Sequence, residues 1–473
     1  MKLLALEAST TSAKAMLYDP KSGQSRVLTQ EYGKLNKESV RMADVMLEKT
    51  LAVGRRLAAG EEIGAISLGV TWHSLMLCDR EMRPVTPPCL WNHMGAAEIC
   101  REIRKKEEEV ERFYRKTGCM VHAMYPAFKV EYFREQGLPV ETSYLVNMGT
   151  YFTWMLTGKR ISTLCLASGS GFLNLVSGSY DEKILKEYGI EKWQMSPLVQ
   201  EGEILRLSKE AAKLLGIEEG VPVIPAEADG GLNQIGAGAS GYGWATLSVG
   251  TSSAIRVSVK NPVLSGTRDF WCYRSPAGYL AGAAANGCNC TDWAREQLFQ
   301  NSLSYSEIEK RAERKEDGPI FMPFLFGERC PGWQDKRRAS FSGFLSEHTA
   351  YDLYRAVQEG VIFNIYQCYR ALMEAGVKVE KIMLSGGILR SELWTQMCAD
   401  IFQRELYLSN VTEQASLIGG IVLAMKEVGM IEKPEDFKAK ITGVIRPDKD
   451  SRLFYERKYI KYLEAYGKDM GKE

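Results

Sequence analysis

The chain has 473 residues, 45% hydrophobic and 25% charged, which is too long for one ordinary core and typical of soluble globular proteins. Lys and Arg (60) balance Asp and Glu (59) to a formal charge of +1, so there is no electrostatic footprint for nucleic acid or an anionic membrane. Its eleven cysteines include no Cys-x-x-Cys pair, and its four histidines form no His-x-x-x-His pair, which argues against a zinc site and for reduced thiols.

The opening stretch Met1 to Leu6 is too short for a signal-peptide core, and Glu7 ends it. No apolar run approaches the ~20 residues of a membrane helix, so the expectation is a soluble, cytoplasmic protein. Leu3 to Leu6 reads as a strand, Ser9-Thr10-Thr11-Ser12 as a turn and Ala15 to Tyr18 as a returning strand. Backbone N–H groups of such a turn, joined by hydroxyls, make an anion nest. Lys14 stands two residues beyond, where it could meet a terminal phosphate, and Glu7 could hold Mg²⁺ through water. The basic run Arg101 to Lys106 is answered by Glu107, Glu108 and Glu109 and reads as a solvated helix face.

Val221 to Gly231 reads as a strand, then Asp229, then a glycine pair opening a helix. Ligands of open α/β sheets sit at the carboxyl ends of strands, where Asp229 falls. A carboxylate there can take the proton of an attacking hydroxyl, and with Glu7 it makes a second candidate Mg²⁺ ligand. An ordinary helix cap gives the same pattern, and spacing does not separate the two.

The glycine-rich stretch Gly236 to Gly243 suggests a boundary near Ala239, dividing the chain into 1–238 and 239–473. Gly236-Ala-Gly238-Ala-Ser-Gly241 has dinucleotide-fingerprint spacing but precedes a strand, so that reading fails its context. Ala245 to Val249, the turn Gly250-Thr251-Ser252-Ser253 and Ala254 to Val259 then repeat the plan of the opening hairpin. Two domains of similar design, each offering a hydroxyl-rich turn to one triphosphate, would explain the echo. Ser/Thr turns are common enough that chance would too.

Further on, Thr349 to Asp352 has capping-box spacing and opens a helical run that Gly376 stops. Lys381 to Leu384 is a strand, Gly386-Gly387 a turn, Ser391 a cap for the helix through Gln403, and Leu453 to Tyr466 an aromatic amphipathic helix for packing. No Gly-Lys pair is followed by Ser or Thr, and the protein-kinase motif set is absent.

Six segments in order give a resemblance to the FGGY carbohydrate kinases of the actin-like ATPase superfamily. Leu6 to Lys14 resembles their first phosphate motif, Ser248 to Ser253 the second, and Ala228-Asp229-Gly230 the catalytic-base segment. Met124 to Gln136 is similar to the first family signature, Pro323 to Trp333 to a second-domain segment, and Ser385 to Asp400 to the adenosine-binding turn and helix. The resemblance implies an α/β fold of two actin-like (ribonuclease H-like) domains with ATP and substrate in the cleft between them. It implies ATP with Mg²⁺, and phosphate and adenosine contacts from Ser9, Thr10, Thr11, Ser12, Lys14, Gly250, Thr251, Ser252, Gly386 and Gly387. It also implies Asp229 as base and a homodimer as the assembly to test.

Within the family, Trp72-His73-Ser74 resembles the Met-His-Ser of gluconate kinases, which faces the substrate. Val249 to Arg256 resembles their Ile-Gly-Thr-Ser-Gly-Ala-Ile-Arg. Gluconate is therefore the expected substrate, with Trp72 and His73 on the sugar side and Arg256 read as a salt-bridge or surface residue. Xylulose or another pentulose or polyol is the alternative substrate. Glu7 stands where the family has Asp, Ser9 where it has Gly, and Thr150 and Thr163 where relatives carry Asp; the segment Trp91 to Gly95 lacks the Asp and Arg often seen just after this Trp. Such departures also admit a degraded nucleotide-binding homologue with a regulatory role.

Overall fold

The structure is a computed structural model describing residues 1–200, 203–411 and 414–470. Two seven-stranded sheets carry the architecture. The first runs Gln24–Glu31, Ser12–Asp19, Lys2–Ala8, Ile63–Val70, Pro222–Val223, Leu205–Arg206, with Glu227–Ala228 also paired to Ile63–Val70. The second runs Trp271–Ser275, Gly278–Asn286, Ser252–Val259, Trp244–Val249, Lys381–Ser385, Leu406–Ser409, Ile441–Ile445. In both, an antiparallel hairpin is followed by a parallel strand laid beside its first arm. The echo between the two turns is thus a repeat of topology, and the α/β class with actin-like duplication is what the chain adopts.

The strand Lys2–Ala8 is apolar almost throughout because helices cover both of its faces. Leu4 and Leu6 pack towards Met46 and Leu51 of the helix Met42–Ala58. Leu3 and Ala5, pointing the other way, pack against Leu417, Ile421 and Ala424 of the helix Ala415–Glu427. That late helix therefore lies on the first sheet. It crosses the helix Asp229–Gly236 at bare backbone: a Cβ on Gly236 would meet the Ala415 carbonyl at 1.8 Å, and one on Gly419 the Leu232 carbonyl at 2.0 Å.

The local signals read from sequence operate as expected. Thr349 and Asp352 form a capping box at the helix Ala350–Glu374, and Gly376 follows it with φ +88°. Ser391 caps the helix Glu392–Phe402 through the Trp394 amide. The basic run differs at one residue. Arg104 turns inward to the Val121 carbonyl and to Asp335, because a buried acid at that point needs a partner. All eleven cysteines are free. Among the described residues no helix is long and apolar enough to cross a membrane.

Candidate active site

Parallel pairing sets Ala8, Val70 and Ala228 in one row across three neighbouring strands of the first sheet. The residues that follow each strand leave from the same carboxyl edge: the Ser9–Ser12 turn, Trp72 with His73, and Asp229. That is the edge where ligands of α/β sheets bind.

Asp229 is half-buried and accepts a hydrogen bond from the neighbouring Gly230 amide at 2.8 Å. Burial raises its carboxyl to about 6, opposed by the charge of Arg256 and assisted by that of Glu7. The Trp72 ring lies so close that a Cβ on Gly230 would sit 2.3 Å from it. Its indole N–H donates to the Cys165 carbonyl at 3.0 Å, and its ring meets Trp271 and Tyr273 edge-on. Those two rings, from the second half, stack on each other at 4.3 Å.

His73 has φ +66° and its Nδ1 lies 2.7 Å from the Gly169 carbonyl. Burial pushes its ring down to about 3, so the imidazole is neutral. Beneath it, fully buried Lys129 donates to the carbonyls of His73 at 2.5 Å, Leu90 at 2.9 Å and Cys89 at 3.2 Å. Burial pulls that ammonium down to about 7, while the three carbonyls favour its proton. One side chain thereby ties the His73 turn to the segment leading into Trp91.

The two hydroxyl turns converge through Trp91. Its indole N–H donates to Thr10 Oγ1 at 3.1 Å, and its ring lines a cavity of about 460 Å³ together with Thr251, Ser252, Asn286 and Arg329. A larger cavity, of about 1140 Å³, opens on the far side of the Asn92–Met94 segment and includes Thr10 and Thr11. Gly386 and Gly387 lie directly against the second turn: a Cβ on the first would be 2.5 Å from the Val249 carbonyl, and one on the second 3.1 Å from Cys288 Sγ. Ser12 is buried within the first turn, bonded to Ser9.

Lys14 is directed at Glu7 rather than at open space. The two are cross-strand partners and their charged atoms are 3.1 Å apart. The second Glu7 oxygen accepts from Ser416 Oγ, on the late helix. Among the described residues no cluster of three or more metal-ligating side chains occurs. Mg²⁺ needs no such cage, since one or two carboxylates beside substrate phosphates suffice. Glu7 and Asp229 fit that requirement: Asp229 feels the negative charge of Glu7, a repulsion that a divalent cation relieves.

Several residues here escaped sequence reasoning. Arg256 is partly buried and in no salt bridge among the described residues; it stands beside Asp229 with a buried Nε. Alternation along Ser252–Val259 places it on the face of Ser252 and Ala254, a signal that was readable. Ser416, Trp271 and Tyr273 gave none. Thr163 caps a helix and donates to Glu227, whose carboxyl burial raises to about 8, while the Thr150 hydroxyl is buried without a hydrogen-bond partner among the described residues.

Residues 3–236 fit the sequence model described as the FGGY family of carbohydrate kinases, N-terminal domain, and residues 245–428 fit its C-terminal domain. The gluconokinase of Bacillus subtilis (strain 168) is 27% identical over 96% of this chain and 93% of its own. The xylulose kinase of Escherichia coli (strain K12) is 26% identical over 73% of this chain and 72% of its own. Among solved structures, gluconate kinase from Lactobacillus acidophilus superposes with a TM-score of 0.92 at 27% identity, covering 100% of this chain and 99% of that one. The ligand-bound xylulose kinase from the same organism gives 0.92 at 26%, with the same coverage.

Proposed function

The chain belongs to the FGGY family of carbohydrate kinases, and from that premise we propose that it transfers the terminal phosphoryl group of ATP to a hydroxyl of gluconate. The observation that carries the chemistry is Asp229, half-buried at the strand edge that also presents Trp72, His73 and the first hydroxyl turn. In this reading the Asp229 carboxylate takes the proton of the sugar hydroxyl. The freed oxygen bonds to the terminal phosphorus as the bond to the ADP oxygen breaks.

The first turn, through Thr10 and Thr11, and the second, through Thr251 and Ser252, offer amides and hydroxyls to the phosphates, and Gly386-Gly387, packed against the second turn, would border the adenosine. Lys14 can swing from Glu7 to a phosphate oxygen, its head being only partly covered. Glu7 and Asp229 would hold Mg²⁺, which when bound neutralises phosphate charge. Neutral His73 and the Trp72 indole face the sugar, one as a polar contact and one as an apolar wall. Xylulose is the second reading, supported by the 26% identity to xylulose kinases.

A panel of sugars and sugar acids with ATP and Mg²⁺, followed by ADP release, tests the assignment. Asp229→Asn should lower turnover by about 100-fold or more. The wild-type kcat/KM should fall as pH drops through about 6, where Asp229 takes up its proton. Stability runs the other way. The folded chain keeps that proton to about 6, whereas the unfolded chain releases it near 3.8, so stability is lost as pH rises between the two. Asp229→Asn should therefore melt higher than wild type at neutral pH, by an amount on the order of 2 kcal/mol, and match it below about pH 4. Full activity in Asp229→Asn, or no sugar that stimulates ADP release, would end this reading.

A further inference from the structure

The Arg256 side chain makes no hydrogen bond and no ion pair among the described residues, and its Nε is buried without a partner there. It lies on the strand Ser252–Val259, on the same face as Ser252 and Ala254, and roughly 13 Å along from the second phosphate turn. Its Nε is 3.1 Å from the point a Cβ on Gly230 would occupy, so the guanidinium runs past Gly230 with the Trp72 ring on the other side. Arg329, from the far wall, adds a second cation. It donates to the Ala285 carbonyl at 2.8 Å, lies over the Trp91 ring and feels the charge of Arg256.

Other acids in this region are taken. Glu328 is held by Arg337 and the Tyr466 hydroxyl, and Asp335 by His122 and Arg104. Asp229, the one acid that Arg256 feels, is already bonded to the Gly230 amide and forms no ion pair with Arg256 among the described residues. Two guanidiniums in a partly buried wall without a carboxylate of their own are costly, and a ligand that supplies the counter-charge removes the cost. Guanidinium matches carboxylate in a planar, two-pronged bond that a sugar hydroxyl cannot reproduce.

We propose that Arg256, backed by Arg329, receives the carboxylate of an aldonic acid bound against Asp229, so that this wall selects acids over neutral sugars and polyols. The proposal rests on the kinase reading and adds to it the substrate's charge and the residue that reads it.

The test compares gluconate with glucitol, its neutral counterpart carrying –CH₂OH in place of the carboxylate, on wild type, Arg256→Gln, Arg256→Lys and Arg329→Gln, each first checked for an unchanged melting curve. Wild type should favour gluconate by about 100-fold or more in kcat/KM. Arg256→Gln should lose at least about tenfold more on gluconate than on glucitol, chiefly in KM, with Arg256→Lys in between and Arg329→Gln smaller. Equal losses on both substrates would mean that Arg256 serves Asp229 instead, and would overturn the proposal. A wild type that prefers glucitol or xylulose would overturn it while leaving the kinase reading intact. If nothing is phosphorylated, the kinase reading fails separately, and calorimetry of gluconate with wild type and Arg256→Gln decides: no binding, or binding indifferent to the substitution, sinks the carboxylate site.

Discussion

The two hydroxyl turns share a sequence plan and a place in their sheets, yet they are held in opposite ways. The first closes on itself through side chains. Ser9 Oγ donates to the Ser12 carbonyl at 2.8 Å, the Ser12 amide returns to Ser9 Oγ at 3.2 Å, and Glu7 beside it is gripped by Lys14 and Ser416. The second is held by neighbouring backbone packed where side chains are missing. The Cys288 amide donates to the Gly250 carbonyl at 2.6 Å, and Gly287 and Gly386 admit that main chain at distances no Cβ would allow. A turn built from its own hydroxyls loses one bond at a time. One built from glycine packing fails at once.

Gly386→Ala should have the largest effect. It forces a side chain into φ +98° and to 2.5 Å from the Val249 carbonyl, so nucleotide affinity measured by calorimetry should fall about 100-fold or more. Ser416→Ala should come next, because it removes a hydrogen bond to a charged oxygen; kcat/KM should fall about tenfold. Glu7→Asp withdraws the carboxylate from the same contact, so adding Ser416→Ala to it should cost nothing further, and a double-mutant cycle checks this. Ser9→Ala should be mildest, about threefold in kcat/KM, since the Ser9 amide still bonds the Ser12 carbonyl. If Ser9→Ala proved as damaging as Gly386→Ala, the contrast between the turns would collapse.

What the sequence disclosed follows the range over which each feature is fixed. The hairpins, the Thr349–Asp352 capping box and the strand–Asp229–glycine pattern are settled by neighbours a few residues apart, and each appears where it was expected. Ser416 reaches Glu7 across 409 positions, and Lys129 gathers carbonyls from two distant segments. No local pattern encodes those meetings, because tertiary packing creates them. Arg256 falls between. Its alternation with Ser252 was visible, but that its neighbours' acids were already engaged was not. Glu7 read as a loss relative to Asp; in three dimensions its extra length is what lets it touch Ser416.

The crossing of the helices Asp229–Gly236 and Ala415–Glu427 has a mechanical consequence. At Gly236 and Gly419 main chain rests on main chain, and beside that contact Leu232 and Ile235 pack with Val422 and Leu423, so the two helices are locked together and move as one body. One of these helices begins at Asp229, and the other carries Ser416 in its first turn. Any shift of that pair would carry the Asp229 carboxylate and the Ser416 hydroxyl along together, so the acid side of the site travels as one piece.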